Sequence, residues 1–368
     1  MTGCMTAYAC AAAGLKVILL EADRIGQGGS SRGNGLFTSE ATPSFRELEE
    51  KAGRRIARSA FESSKRASKE LAATVKRLGI KADMELRDAL RVVPGAMTDK
   101  AARREASERI EAGLDASWIA ASALTRQTTI AATGAVRFHD WGVTNPLRLL
   151  LGFAAAAKKR RAVFYEKSPV KRITFDRKKA VVELEHGSIT TTAVMVCTSE
   201  PTDLFRALKR HLRFEERYVV MTEPLSASVR SQVGDQSTIV SDLETPAHQL
   251  WWTDDHRAVF SGADQKRTAP RLLDKVLVQR TGQLMYELSR LYPEISGIMP
   301  THGWELPLAH TSDDVLYAGP HRNFPFQYFA FGTLHDPARA FLASRILMRC
   351  ALGETNKDDE TFAFARNL

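Results

Sequence analysis

The sequence of 368 residues contains only four cysteines, at positions 4, 10, 197 and 350. No two of them form a Cys-x-x-Cys pair, which argues against a zinc ribbon and a thioredoxin-like redox site. The nine histidines show neither His-x-His nor His-Glu-x-x-His spacing, so no metal site is expected. Each cysteine lies in an apolar or small-residue stretch, where an inert buried thiol is the expected role.

Long apolar runs are also missing. The longest, residues 147–157, falls well short of the roughly 20 residues that cross a bilayer, and it ends in the basic run 158–161. Residues 1–14 lack the basic start and the long apolar centre of a secretory signal. We therefore expect no membrane span and a cytoplasmic location.

The formal net charge is +9, which raises nucleic acid as a partner. The basic residues are spread along the chain among 43 acidic ones, however. The densest run, 158–161, follows an apolar helical pattern, where cations suit the helix C-terminus. An anionic cofactor and an acidic substrate explain a basic surface at least as well, so no nucleic-acid partner is expected.

The first 21 residues are the most informative stretch. Residues 2–13 are almost all small and indicate a slim helix, which Gly14 ends in a left-handed conformation. The apolar run 17–20 is typical of a strand buried on both faces of a parallel sheet, and Glu21 follows it directly. This order is the second half of a βαβ nucleotide-binding unit.

Only the end of the dinucleotide-binding fingerprint is present. Gly3 supplies its last glycine, which permits close packing of helix on strand, and Glu21 stands where a carboxylate accepts hydrogen bonds from a ribose. The first strand and the first two glycines are absent. We expect that Met1 is not the natural boundary of the fold, and that upstream in-frame codons encode an apolar strand and Gly-x-Gly.

The rest of the chain alternates between helical and strand patterns. A glycine-rich loop, residues 26–35, is followed by two basic amphipathic helices in 44–79, separated at Gly53 and ended at Gly79. The further expected helices are 100–114, 272–292 and 337–352. The expected strands are 181–185 and 189–196 as a hairpin, 218–222, 250–253 and 258–261 as antiparallel strands, and 315–318 and 328–331, each followed at once by a glycine.

Four segments in this order resemble the D-amino-acid oxidase superfamily of FAD-dependent oxidoreductases, which includes glycine and sarcosine oxidases. The segment AAGLKVILLEADRIGQGGSSRGNG is similar to the family's ADP-binding region. WGVTNPLRLL with AVFYEKSPVKRI resembles the helix and strand that meet the adenine. TSDDVLYAGP resembles the family's T-x-D-G-x-P-x-x-G segment, and YFAFGTLHDPARAFLASRIL its final strand, turn and helix.

The resemblance implies an α/β fold in which a Rossmann-type FAD-binding domain is interleaved with an α+β substrate domain on an antiparallel sheet. The FAD-binding domain would comprise residues 1–80, 140–212 and 311–368, and the substrate domain 81–139 and 213–310. The start of the helix at Pro337 would offer its positive end to the flavin ring. The implied cofactor-binding residues are Gly3, Glu21, Ser30, Ser31, Arg32, Val170, Thr198, Gly319, Gly332 and His335.

Several departures from the family pattern concern the substrate. The arginine that clamps the substrate carboxylate in the family is replaced by Leu308, with Arg257 and Arg322 as candidate substitutes. Leu334 and Asp336 flank His335, where the family has glycines, and Asp314 replaces the glycine of the T-x-D-G segment. His302, Glu305 and His310 lie near Leu308 in sequence. The catalytic residues stay open, with His335, His310 and Glu305 as candidates.

The leading hypothesis is therefore an FAD enzyme that oxidises a small amine-bearing or amino-acid-like molecule by hydride transfer. A non-catalytic flavin-binding or ligand-binding relative is the alternative, since the clamp and the loop around His335 are altered. Nucleic-acid binding is the third and weakest hypothesis. The patterns name neither the substrate, the electron acceptor nor the oligomeric state.

We predict that the flavin is held non-covalently. In relatives with covalent flavin, the linking residue is a histidine in the first glycine-rich loop or a cysteine shortly before the T-x-D segment. Residues 26–35 contain no histidine, and the nearest cysteine upstream of Thr311 is Cys197. Acid precipitation should release the flavin into the supernatant; a yellow protein pellet would contradict this.

Overall fold

The computed structural model describes residues 1–41, 44–94, 99–125, 127–176, 178–243 and 246–367. Within these residues the helices are α1 (Thr2–Ala12), α2 (Phe45–Ala52), α3 (Arg54–Leu78), α4 (Lys100–Glu111), α5 (Ala121–Leu124), α6 (Pro146–Lys159), α7 (Ala227–Val233), α8 (Leu273–Leu291) and α9 (Pro337–Leu352). Short 3-10 turns cover Gly29–Arg32, Asp203–His211, Pro270–Leu272, Pro293–Ile295, Lys357–Phe362 and Phe364–Asn367.

The strands within the described ranges form four sheets. They are β1 (Ile18–Leu20), β2 (Leu36–Phe37), β3 (Glu85–Pro94), β4 (Ser117–Ala120), β5 (Ala132–Val143), β6 (Val163–Tyr165), β7 (Arg172–Phe175), β8 (Ala180–Leu184), β9 (Gly187–Thr191), β10 (Val194–Ser199), β11 (Leu212–Thr222), β12 (Ile239–Ser241), β13 (Gln249–Trp252), β14 (Ala258–Lys266), β15 (Pro300–Thr311), β16 (Tyr317–His321) and β17 (Phe324–Phe331). The largest sheet runs β15-β11-β14-β13-β12-β3-β5-β2, with β4 added on β5.

Two small sheets contain parallel pairs, and a third parallel pair joins β12 to β3 within the large sheet. Strand β1 pairs with β6, and β10 pairs with β17, which is antiparallel to β16. The prediction that 17–20 is a strand buried on both faces was wrong. The strand has only three residues and one hydrogen-bonded neighbour, and Ile18 is 47% exposed, because no described strand covers its other edge.

Helix α1 is buried along most of its length. Its side chains are small enough to let α6 and α9 pack on it, while β10 lies against another side. Tyr8 meets Phe153 of α6 edge-on, with ring centroids 5.5 Å apart. A helix that is apolar all round belongs in the core of a protein, and α1 forms the centre of the largest hydrophobic cluster.

A second hydrophobic cluster joins the large sheet to α8. Tyr218 of β11, Phe260 of β14 and Leu250 of β13 project from one face of the sheet onto Leu284 and Leu288 of α8. Side chains alternate along a strand, so the neighbouring residues of β11 and β13 project from the opposite face. That opposite face is the one that the glycine-rich loop covers.

Most of the helices predicted from the sequence are confirmed. The pair in 44–79 is separated at Gly53 (φ +83°) and ended at Gly79 (φ +64°), and α9 has the predicted bounds. Residues 189–196 are two strands in different sheets rather than one. The patterns also missed β2, β3, β5 and β15, and they ended a strand before Gly319, which lies inside β16.

None of the helices among the described residues has the length and apolar character needed to cross a membrane. The division into two domains stays a prediction. Strand β5 crosses the predicted domain boundary between residues 139 and 140. Strand β2, from the predicted FAD-binding domain, pairs with β5 in the large sheet.

A histidine held between two acids fastens α8 to the large sheet. His248 lies 2.6 Å from Asp242 through Nδ1 and 3.0 Å from Glu287 of α8 through Nε2. It also stacks on Phe260, with ring centroids 5.1 Å apart. Burial alone would lower the pKa of His248, but the two carboxylates outweigh burial and raise it above its ordinary value of 6.5.

We predict that His248→Gln destabilises the protein most below pH 6.5. A histidine with a raised folded pKa contributes stability that is fully present below the unfolded pKa and is lost as the pH rises through the folded pKa. The loss should be about 2 kcal/mol at pH 6 and smaller at pH 9, measured by urea unfolding. An equal loss at both pH values would show that the imidazolium charge is irrelevant.

Candidate active site

Several predicted cofactor residues lie at the carboxyl ends of the parallel strands. Glu21 follows β1, and its backbone N–H donates to Tyr165 of β6. Thr198 lies at the end of β10, where Ser199 is paired with Phe331 of β17. Nucleotides bind beyond the carboxyl ends of strands in open α/β sheets, so these ends are where an adenosine is expected.

Val170 belongs to the same edge. It follows β6 and precedes β7, and its backbone N–H donates to no backbone oxygen among the described residues. A half-buried backbone N–H without a partner fits a hydrogen bond to an adenine ring.

The N-terminus of α1 has the character of a phosphate site. No side chain caps its first turn and no acid lies there, so its backbone N–H groups are not satisfied by the helix itself. Ser30 of the glycine-rich loop lies 2.7 Å from the Met1 nitrogen through its Oγ. A helix N-terminus beside serine hydroxyls binds phosphate oxygens well, and this arrangement fits the pyrophosphate of FAD.

The glycine-rich loop is fastened to the large antiparallel sheet at several points. Trp304 of β15 donates from its indole to the Arg32 carbonyl at 2.7 Å, and Trp251 of β13 donates to the Asn34 carbonyl at 2.8 Å. The guanidinium of Arg32 forms an ion pair with Glu305. The loop thus lies between the parallel sheets and the large sheet, where the flavin ring is expected.

His335 contacts both this loop and the large sheet. Its Nε2 donates to the Pro307 carbonyl at 2.7 Å, which requires the proton on Nε2 and leaves Nδ1 as an acceptor. A Cβ on Gly29 would come within 2.8 Å of the imidazole, so only glycine allows this approach. Burial lowers the pKa of His335 to about 4, and the ring is therefore neutral at physiological pH.

The residues around His335 adopt an unusual backbone. Leu334 (φ +52°) and His335 (φ +58°) both have left-handed conformations, which glycine adopts without strain. Of the two positions where the family has glycines, Leu334 has a left-handed backbone, whereas Asp336 has an extended one with φ −73°. Asp336 accepts from the N–H groups of Ala338 and Arg339 and from Thr38.

This capping limits what α9 offers to the flavin. The Asp336 carboxylate accepts hydrogen bonds from two of the first N–H groups of α9, so this helix end is not open. The predicted interaction between the positive end of α9 and the flavin ring therefore has less support.

Two arginines that the sequence analysis missed hold the loops of the site. Arg339 of α9 is buried and donates from Nη1 to the carbonyls of Asp314 and Gly332, both at 3.2 Å. Arg366 forms a bidentate ion pair with Asp313, through bonds of 2.8 Å, and lies over the ring of Tyr317. For Arg339, its position inside an apolar helix was the one sequence signal of a buried role. The sequence held no comparable signal for Arg366.

Other predicted residues are not brought to the same place. Gly319 lies inside β16 and pairs with Phe329 of β17. Phe329 is two residues before Phe331, which pairs with Ser199 at the strand ends. His302 is exposed at the far end of β15. His310 is buried and bonded to Asp314 at 2.7 Å.

Gly3, Ser31 and Thr198 have only local explanations. A Cβ on Gly3 would meet Cys197 at 3.6 Å, an ordinary contact distance, so the described packing does not require glycine there. The Ser31 and Thr198 hydroxyls donate to nearby backbone carbonyls, of Gly28 and Glu200. Their assignment to the cofactor stays a prediction.

The uncapped α1, the fastened glycine-rich loop and the strand ends together define a dinucleotide-binding flavoenzyme fold, and the residues present fit FAD. The sequence model of the DAO family, FAD dependent oxidoreductases, matches residues 1–333. The chain belongs to this family. It is an FAD-dependent oxidoreductase, as the sequence analysis predicted.

Two curated relatives show how similar the chain is to characterised sequences. "Probable oxidoreductase OrdL" of Haemophilus influenzae is 26% identical over 235 residues, which is 62% of this chain and only half of that protein. Gamma-glutamylputrescine oxidoreductase of Escherichia coli is 25% identical over 320 residues, covering 82% of this chain and 70% of that protein.

Solved structures agree on the fold. Glycine oxidase from Geobacillus kaustophilus superposes with a TM-score of 0.78 at 15% identity, covering 99% of this chain and 94% of that one. The fold is therefore that of this class, while identities this low say nothing of the substrate.

We predict that the left-handed backbone at Leu334 ranks substitutions in the order Gly, Leu, Val. Glycine removes a strain of roughly 1 kcal/mol, which its greater unfolded-state entropy largely offsets, whereas branched valine adds about 1 kcal/mol. Urea unfolding of Leu334→Gly and Leu334→Val measures this order. The control is Leu204, an exposed leucine in the 3-10 turn Asp203–His211, where glycine should destabilise the protein. If the Leu334→Val variant were more stable than Leu334→Gly, the proposed backbone strain at Leu334 would be contradicted.

Proposed function

We propose that this enzyme oxidises a C–N bond in a small amine-bearing or amino-acid-like molecule. Bound FAD supplies the hydride acceptor. The chain's own groups hold the substrate next to it, because a neutral amine needs little acid–base assistance from the protein. The proposal rests mainly on the fastened loop and on the neutral His335, which contacts both the loop and the antiparallel sheet.

The names of similar proteins support an amine-bearing substrate. The Escherichia coli relative is named for gamma-glutamylputrescine, and a matching structure, L-proline dehydrogenase from P. horikoshii, for an amino acid. Glycine oxidase is named for another amino acid. An amine or amino acid is common to these names, and we carry only that class over to this chain.

In the described part of the chain, none of the three candidate arginines offers a free cation beside the loop. Leu308 stands where the family has its clamp, and its side chain is apolar and only 3% exposed. Arg32 is paired with Glu305, and Arg257 is paired with Asp255 at the end of β13. Arg322 is exposed in the turn between β16 and β17.

We predict that simple free α-amino acids are poor substrates. A buried carboxylate without a bidentate partner lacks a charge-assisted hydrogen bond and loses several kcal/mol of binding. Larger amines, N-substituted amines and substrates whose acid group lies far from the reacting carbon should be better. The measurement is anaerobic bleaching of the flavin absorbance across D-amino acids, L-amino acids, N-methyl amino acids and neutral amines.

The panel contains its own control. Dithionite should bleach the flavin fully in every sample, which shows that the cofactor is accessible to reduction. Fast reduction by a simple α-amino acid at micromolar concentration would overturn the substrate prediction. Flavin that dithionite reduces and no compound of the panel reduces would overturn the proposed C–N oxidation itself.

A further inference from the structure

A polar network lies on the face of the large sheet that the glycine-rich loop covers. Arg217 of β11 is bidentate to Asp264 of β14, with Nε–Oδ1 at 2.8 Å and Nη2–Oδ2 at 2.7 Å. Its Nη1 donates to Gln249 of β13 at 3.1 Å. Asn34 of the loop donates from Nδ2 to Gln249 at 3.0 Å and to Ser261 at 3.3 Å.

This network fixes which way the Gln249 amide points. Arginine can only donate, so the atom facing Arg217 must be the Gln249 oxygen, and Asn34 donates to the same oxygen. The Gln249 Nε2 therefore points elsewhere, and it donates no hydrogen bond within the described ranges. It is not sealed from solvent either, since it is absent from the buried atoms without partners.

The position of the network relates it to the flavin side of the site. Arg217 is opposite Leu306 of β15, and the next residue, Pro307, accepts the hydrogen bond of His335. Gln249 is opposite Ser261 and two residues before Trp251, which holds the loop at Asn34. The free Nε2 donor thus lies between the loop and the sheet, close to where His335 meets it.

The network contains an arginine whose charge is neutralised. The side chains of Arg217 and Asp264 are only 18% and 10% exposed, and both carboxylate oxygens are used by the guanidinium. Burial alone would lower the pKa of Arg217, but the ion pair with Asp264 outweighs burial and raises it, so the guanidinium stays charged. Such a pair presents little net charge to a ligand.

We propose that Gln249 is a specificity-determining residue that donates from Nε2 to an uncharged acceptor oxygen of the substrate, such as an amide carbonyl, while Asp264 masks the charge of Arg217. This inference rests on the proposed C–N oxidation and narrows its substrate class. The enzyme selects amines that carry an amide or another neutral acceptor over those that carry a carboxylate.

The chemistry behind the selection is a comparison of two acceptors. A carboxylate entering beside Gln249 must give up its hydration for one neutral N–H donor, and Arg217, neutralised by Asp264, offers it no compensating charge. An amide carbonyl loses less hydration and needs no such charge. Removing the charge of Asp264 while keeping its shape therefore changes the preference without changing the reacting atoms.

The first test is Asp264→Asn, measured with alanine and alaninamide of both configurations, which differ only in the carboxylate. In the wild type, kcat/KM should favour the amide by about tenfold or more. The variant should lower this amide-to-acid ratio by about tenfold, mainly through a smaller KM for alanine, because Arg217 becomes available. Asp203→Asn, at an exposed ion pair with Arg206, is the charge-matched control and should leave the ratio unchanged.

The second test, Gln249→Met, removes the Nε2 donor together with the oxygen that accepts from Arg217 and Asn34, and leaves the Arg217–Asp264 pair in place. The KM for alaninamide should rise about tenfold while the KM for alanine stays unchanged. The amide-to-acid ratio of kcat/KM should therefore fall because the amide binds less well. Gln279→Met, an exposed residue of α8, is the matched control. This variant decides the question if Asp264→Asn does not fold, as judged by circular dichroism and thermal unfolding.

Binding of non-reacting ligands separates this inference from the proposed reaction. Calorimetric titration of the holoenzyme with butanamide and butanoate should show tighter binding of the amide in the wild type and a reversed order in Asp264→Asn. If no amine bleaches the flavin but this reversal is seen, the proposed reaction fails and the selectivity stands. An unchanged ratio in a folded Asp264→Asn, or in Gln249→Met, overturns the role of the network.

Discussion

The site depends on the attachment of the glycine-rich loop to the antiparallel sheet. The loop follows a parallel strand, yet Trp251 and Trp304 hold its carbonyls from the other side. Burying the two indole N–H groups without hydrogen-bond acceptors would be costly. The loop carbonyls supply these acceptors only when the loop is in place. The same contacts therefore satisfy the sheet and bring together the two halves that a flavin must touch.

Charge in this region is balanced in pairs. Arg32 with Glu305 and Arg217 with Asp264 both join elements that are distant in the chain, and His335 is kept neutral by burial. A neutral lining discriminates through hydrogen-bond geometry rather than through net charge. The substrate is then selected by which donors remain unused, and Gln249 is such a donor.

The sequence predicted those features that depend on local patterns. Helix α9 and the pair α2 and α3 follow from apolar periodicity and from glycines at Gly53 and Gly79. Strands β3, β5 and β15 were missed because their polar and apolar residues mix, as partly exposed strands of one wide sheet require. The family resemblance supplied the cofactor, whereas periodicity alone indicated only a nucleotide-binding unit.

The candidate site was predicted less well, since it depends on pairings between distant segments. Glu21, Val170 and Ser30 could be predicted as cofactor residues because each follows an element in a recognisable order, and their roles stay predictions. Arg217 was not, because a single arginine in an apolar strand does not reveal that Asp264 and Gln249 lie beside it. The partner of a buried charge is a property of strand register, which composition does not contain.

The ion pair of Arg366 with Asp313 has a consequence for how the protein is made. Synthesis runs from the N-terminus, so the segment around Asp313 leaves the ribosome before its partner, which lies 53 residues later. Until Arg366 is made, the neighbouring Val315 and Leu316 carbonyls lack the N–H donors that it supplies. The turn that carries Arg366 thus completes a loop that was synthesised much earlier.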